Sequence, residues 1–326
     1  MNLKCPKCGS TDYHKKGLTK KNGNQRYKCK KCKSRFTDNT GTQHNAKILL
    51  FDIETTPMET YVWQLKNNNY IHIHQIIEDW NIICWRAKWL FDDTIHGDVQ
   101  TPHEAIRRDD KRVSKSLWKM IDESDIILAH NLRNFDLKKA NTRFLMHGLR
   151  PTSPCQMIDT LLEARKTFKF SSNKLDYLCK MLGIDTKLDT GFQLWKDCLG
   201  GKRISVESKH HNNQIMRVEI FDAKVVAKAL DEMYVYCGQD TAILEDLYLK
   251  LRPYIKSHPN LGLYMESGNR ENTCANCGSK DIMYESKPYY TPTGQYQTFR
   301  CQDCGALIRS RYSEKREKEL LRSCAR

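Results

Sequence analysis

Residues 51–57 read FDIETTP and follow Lys47, Ile48, Leu49 and Leu50, a short apolar run of the kind a buried strand carries. Side chains alternate along a strand, so Ile48, Leu50, Asp52 and Glu54 share one face, and Leu49, Phe51 and Ile53 the other. One face therefore starts apolar and ends in two carboxylates. An unpaired buried carboxylate costs several kcal/mol or takes up a proton. Something must therefore compensate the charges of Asp52 and Glu54.

Strands and helices alternate outward from this stretch. DWNIICWRAKWL (79–90) patterns as a strand, with Ile82, Cys84 and Arg86 opposite Ile83, Trp85 and Ala87. Residues 109–123 place Val113, Leu117, Met120 and Ile121 at helical spacing. DIILAH (125–130) is a second apolar strand, and FDLKKANTRFLMHG (135–148) suits a helix that stops near Gly148, with Pro151 beyond. LDYLCKMLG (175–183) is a further short helix, and a long one is expected over about 222–251, ending before Pro253. Such alternation favours a three-layer α/β arrangement. Residues 200–219 are very polar and are expected to form an excursion, with Lys202, Arg203 and Lys209 as candidate substrate contacts. His72 and His74 could share a strand face, but two histidines alone make a poor metal site.

The 326 residues are enough for one large domain and small modules, and the net charge is +15. Residues 1–36 hold twelve Lys and Arg against one acid, Asp12, whereas 37–270 hold 32 against 31. The basic excess thus belongs to the ends, where it fits either phosphate contact or a solvated Lys-rich surface. No apolar run is long enough to span a membrane, and the N-terminus lacks the apolar core of a signal peptide. A cytoplasmic protein is expected, in which fourteen cysteines are not explained by disulfides.

Eight of them form two matching sets. Cys5 and Cys8 are a CxxC pair separated by twenty residues from Cys29 and Cys32; Cys274 and Cys277 are separated by twenty-three from Cys301 and Cys304. Two such knuckles can hold one tetrahedral Zn²⁺ at about 2.3 Å. Gly9, Gly278 and Gly305 follow their knuckles, where a positive φ suits glycine. The expected organisation is a zinc ribbon at 1–36, a linker at 37–46, a main domain at 47–256, a second linker at 257–273, and a second ribbon with a basic tail at 274–326. CPKCGSTDYHKKG, the GNQRYKCKKC run and Phe36 resemble the zinc ribbon that opens some insertion-sequence transposases, which implies DNA binding. Arg26 and Tyr27 are candidate contacts there, Tyr27 having packing against the knuckle as its alternative.

Two further segments match the opening one. AHNLRNFD (129–136) places Asp136 at a strand-to-helix junction, where helix capping is the simpler explanation, and YVYCGQD (234–240) puts Tyr236 and Asp240 one helical turn apart. Taken in order, DxE on a first strand, Asn131 with Phe135–Asp136, and Tyr236 with Asp240 resemble the DEDDy branch of the DEDD 3′–5′ exonucleases. The segment is similar to the proofreading domains of family B DNA polymerases and to stand-alone phage and bacterial relatives, over about 47–256. The resemblance implies a ribonuclease H-like fold, a mixed five-stranded sheet flanked by helices. It also implies two Mg²⁺ or Mn²⁺ ions held by Asp52, Glu54, Asp136 and Asp240, with Tyr236 orienting the attacking water. Asn131 would support the site or touch substrate; His130 reads as a junction residue, and Asp159 in MIDT is not assigned.

The implied activity is release of 5′-mononucleotides from single-stranded DNA in a bacterium or phage-infected host, alone or beside a replication polymerase. No residue pattern selects DNA over RNA. Two alternatives remain: a DNA-binding adaptor with an inactive nuclease domain, and an endonuclease or transposase on the same fold.

Overall fold

The computed structural model describes residues 10–18, 25–33, 35–37, 46–63, 71–184, 190–200, 204–209, 215–220, 222–265 and 273–314. The chain divides into two compact units, Lys47–Leu251 and a unit made of Met1–Ala46 with Arg252–Arg326. In the latter, β1 (Tyr13–Leu18), β2 (Gln25–Cys29) and β3 (Arg35–Thr37) form an antiparallel sheet.

Lys47–Leu251 is built on β4 (Ile48–Thr55), whose eight residues include Phe51–Thr55 of the opening stretch. A two-stranded arm follows, β5 (Glu59–Thr60) with β6 (Ile76–Glu78), and then β7 (Ile82–Trp89) and β8 (Ile95–Val99). Helices α1 (Pro102–Ile106) and α2 (Lys111–Asp122) lead to β9 (Ile126–Ala129), α3 (Asp136–Met146), β10 (Gln156–Asp159) and α4 (Thr160–Thr167). Beyond them lie α5 (Leu175–Met181), α6 (Gln193–Cys198), the hairpin of β11 (Ile204–Lys209) with β12 (Ile215–Ile220), and α7 (Ala223–Leu251). The main sheet is mixed and five-stranded, in the order β10–β9–β4–β7–β8; β4 runs parallel to β9 and antiparallel to β7.

Alternation along β4 decides what covers each face. Leu49, Phe51 and Ile53 are buried with Val113, Leu117 and Ile121 of α2 and Ala140 and Phe144 of α3. The opposite face packs on α7, where Ile83 and Cys84 meet Val226, Leu230, Met233 and Cys237. The strict alternation expected in β7 does not hold. Glu54 pairs with Cys84 but Thr55 pairs with Ile82, a bulge that puts Ile82 with Trp85 and Ala87 and sends Ile83 to the side of Cys84. The irregularity lies opposite Glu54 and Thr55, at the carboxylate end of β4.

Two further expectations change and one gains detail. His72 and His74 belong not to a strand but to a solvent-exposed 3₁₀ turn, Ile73–Gln75, with His72 at its N-cap. The polar stretch 200–219 contains a regular hairpin, although Lys202 and Arg203 lie outside the described residues. Residues 257–265 are not a bare linker: Leu261 and Met265 are buried, and the Leu261 N–H donates to Ala275. Linker 37–46 lies almost wholly outside the described residues.

The second cysteine set lies before and between the strands of an antiparallel sheet, β13 (Ile282–Thr291), β14 (Gly294–Cys301) and β15 (Leu307–Arg309), with Cys301 ending β14. No described helix is long and apolar enough to cross a membrane.

Candidate active site and zinc cluster

Parallel pairing of β4 with β9 stops at Leu50 and Leu128, so Asp52 and Glu54 project just past it. On the face that holds them, α7 supplies Asp240, and one ligand oxygen from each of Asp52, Glu54 and Asp240 lies within 4.8 Å of the others. Asp136 stands beside this trio as the first residue of α3 and is 1% exposed. It accepts hydrogen bonds from its own N–H and that of Ile53, while its Oδ1 is buried without a hydrogen-bond partner among the described residues.

The electrostatics reflect this crowding. Burial raises Asp52 well above the carboxylate range, and repulsion from Glu54, Asp136 and Asp240 adds to it; a hydrogen bond from Cys237 opposes both. Burial raises Asp136 to about 7, its two N–H donors opposing and Asp159 adding. An oxygen-only donor set with an orphaned buried oxygen fits hard divalent cations.

Around the carboxylates, the fold gives several residues partners that the sequence does not show. Asp159 caps α4 by accepting from Leu161 and Leu162 N–H, and reaches across to Asn131 and Arg133 N–H at 3.2 and 2.9 Å. That carboxylate fixes the loop between β9 and Asp136. Asn131 within it has φ +77°, a conformation asparagine tolerates better than other non-glycine residues. His130 is a junction residue: Nε2 donates to Asn173 O at 2.9 Å, leaving Nδ1 to accept from the Thr160 hydroxyl at 2.9 Å. The Cys237 thiol, kept protonated by burial, donates to Asp52 Oδ2 at 3.4 Å. Lys139, one turn after Asp136, donates to Thr55 Oγ1 at 2.8 Å and lies 4.2 Å from the Trp80 ring centre. No motif marks Cys237 or Lys139, because each acts through a partner far away in sequence.

Tyr236 is 7% exposed and packs edge-on against Trp195 of α6, 5.8 Å between ring centres. Arg86 of β7 stacks 3.9 Å from the Tyr234 ring and lies against Gly238, where an added Cβ would meet its Nε at 3.1 Å. The absence of a side chain at Gly238 thus lets α7 settle at the level that carries Tyr236 and Asp240.

At the C-terminal sheet, Cys274, Cys277, Cys301 and Cys304 converge, with Sγ–Sγ distances of 3.7 Å (Cys274–Cys304) and 3.5 Å (Cys277–Cys301). A tetrahedron of sulfurs about 2.3 Å from Zn²⁺ has edges near 3.8 Å, so the four thiols fit that ion as a zinc ribbon. Hydrogen bonds from Cys274 and Cys277 push Cys301 and Cys304 towards the thiolate. Gly278 and Gly305 have φ +72° and +77°, as expected after each knuckle.

Of the N-terminal set, Cys29 and Cys32 form a knuckle with the Cys32 N–H 3.5 Å from Cys29 Sγ; Cys5, Cys8 and Gly9 lie outside the described residues. Arg26 lies in β2, its side chain undescribed. Tyr27 is 7% exposed and packs edge-on against Tyr13.

No protein-family model matches the chain. It is similar in sequence to the PolC-type DNA polymerase III of Ureaplasma parvum serovar 3, with 26% identity over 155 residues, covering 43% of this chain and 10% of that one. The chain thus spans about a tenth of the length of that curated relative. Among solved structures it is similar to the family B DNA polymerase from the hyperthermophilic archaeon Pyrobaculum calidifontis, with 13% identity and a TM-score of 0.39, covering 64% of this chain and 25% of that one.

Proposed function

We propose that the chain is a metal-dependent 3′–5′ exonuclease of the DEDDy type, hydrolysing single-stranded DNA from its 3′ end in a ribonuclease H-like domain at 47–256, between two zinc ribbons. One observation carries the reading: Asp52, Glu54 and Asp240 converge from two distant segments, with Asp136 buried beside them. A carboxylate gathering of this kind destabilises a fold unless cations occupy it. The similarity to a PolC-type DNA polymerase agrees with a role in DNA processing.

Asp52, Glu54, Asp136 and Asp240 would hold two Mg²⁺ or Mn²⁺. When bound, such a pair supplies a nucleophile at neutral pH and neutralises charge on the leaving oxygen. The chain's own residues do the rest. Cys237 and Asp159 fix the Asp52 carboxylate and the loop before Asp136. Tyr236, packed against Trp195, turns its hydroxyl to the attacking water. Water adds to the terminal phosphorus, the bond to the preceding 3′ oxygen breaks, and a 5′-mononucleotide leaves. The carboxylates must be deprotonated to hold cations, so protons and metal compete for the site.

The test compares linear with circular single-stranded DNA in Mn²⁺. Shortening of the linear strand from its 3′ end, with the circle intact, is expected; nicking of the circle would make the chain an endonuclease.

A further inference from the structure

The C-terminal ribbon has an inner and an outer face. Cys301, Ile282 and Ile308 join the buried cysteine cluster. Ile282 pairs with Cys301 and Phe299 with Ile308, so these positions define the inner face. Alternation and pairing then put Met283, Tyr289, Tyr296, Thr298, Arg300, Leu307 and Arg309 on the outer one. The solvated face of an antiparallel sheet is ordinarily polar. Here Met283, Tyr289 and Leu307 are among its large exposed side chains.

Three planar groups form a row across the three strands. Tyr289 of β13 lies opposite Tyr296 of β14, and the Arg309 guanidinium of β15 lies 4.0 Å from the Tyr296 ring centre and 5.6 Å from that of Tyr289. Glu285 is held by Arg300 at 2.6 Å, whereas the Arg309 charge lies over the rings.

We infer that this outer face is a stacking platform for single-stranded nucleic acid, a claim that rests on the proposed substrate class and assigns it a second contact. Rings and a guanidinium plane suit unstacked bases, and the positive charge suits the phosphates between them. Duplex DNA hides its base faces and would not use the rings.

The test measures anisotropy of fluorescein-labelled oligothymidylate with the full chain carrying Asp52→Asn, so that the probe is not consumed. Tyr289→Ala and Tyr296→Ala should each weaken binding about tenfold. Tyr289→Phe and Tyr296→Phe should restore it, and Arg309→Gln should make the salt dependence shallower by about one. Affinity for duplex DNA should not change in the ring variants, and zinc content checks that the ribbon is intact. Alanine variants that keep their zinc and bind oligothymidylate as tightly as Asp52→Asn alone would overturn the platform. Equal loss on duplex would overturn stacking in favour of plain phosphate contact. Should wild type fail to shorten linear DNA while the ring variants still lose single-strand binding, the nuclease reading falls and the platform stands.

Discussion

Asp136 is the most deeply buried carboxylate of the site. Burial raises it from 3.8 to about 7. The metal-free folded state then holds a proton on this group that the unfolded state releases between pH about 4 and 7. The unfolded state binds fewer protons in that window, so stability contributed by the group falls as pH rises through it. Asp136→Asn should flatten that fall in thermal melts of metal-free protein, leaving the part due to Asp52, which is shifted the same way. A fall as steep as that of wild type would contradict the assignment. Mn²⁺ should reverse the trend, because bound cations favour the ionised carboxylates. Tyr236→Phe should cost about a hundredfold in rate or less, since an orienting hydroxyl is lost but no metal ligand. Total loss would give Tyr236 a larger part. At this scale the sequence marked the carboxylates and Tyr236 by their spacing and named Asp159 without a role, but did not mark Cys237 or Lys139, whose roles come only from folded neighbours.

Among the elements, two positions hold the site in shape. Asp159 accepts from four N–H groups, two at the start of α4 and two in the loop before α3. Asp159→Ala should cost about 2 kcal/mol or more, from a lost cap and unsatisfied loop donors, and should loosen metal binding through Asp136. Unchanged metal affinity would detach the loop from the site. Gly238→Val should cost about 1–3 kcal/mol by overpacking Arg86, and should slow cleavage because the residue lies between Tyr236 and Asp240. Normal turnover with lowered stability would show that α7 repacks without moving the pair.

The helices at 111–122, 136–146 and 223–251 were legible because their apolar spacing is long and regular. Strand β8, IHGDV, was not, because an edge strand with glycine and charge has no apolar run. Nor was the β7 bulge: alternation alone assigned Ile82 to the wrong face, and only pairing with β4 moves it.

For the whole molecule, each unit should fail by its own route. The C-terminal sheet has a small core of cysteines, Ala306 and a few aliphatics, too little to hold it without metal. Cys277→Ser should therefore lower zinc content and melt that sheet. It should leave hydrolysis of a small thymidine 5′-phosphate nitrophenyl ester intact, since that substrate needs only the carboxylate site. Loss of ester hydrolysis would tie catalysis to the ribbon. The paired CxxC spacing made this module legible, whereas its exposed tyrosine row needed the strand register. The most direct test of the carboxylate site follows 5′-labelled single-stranded DNA with and without Mn²⁺, in wild type and Asp52→Asn. Metal-dependent products shortened stepwise from the 3′ end, reduced about a thousandfold or more in the variant, are the expected result. A variant that cleaves as fast as wild type would contradict it.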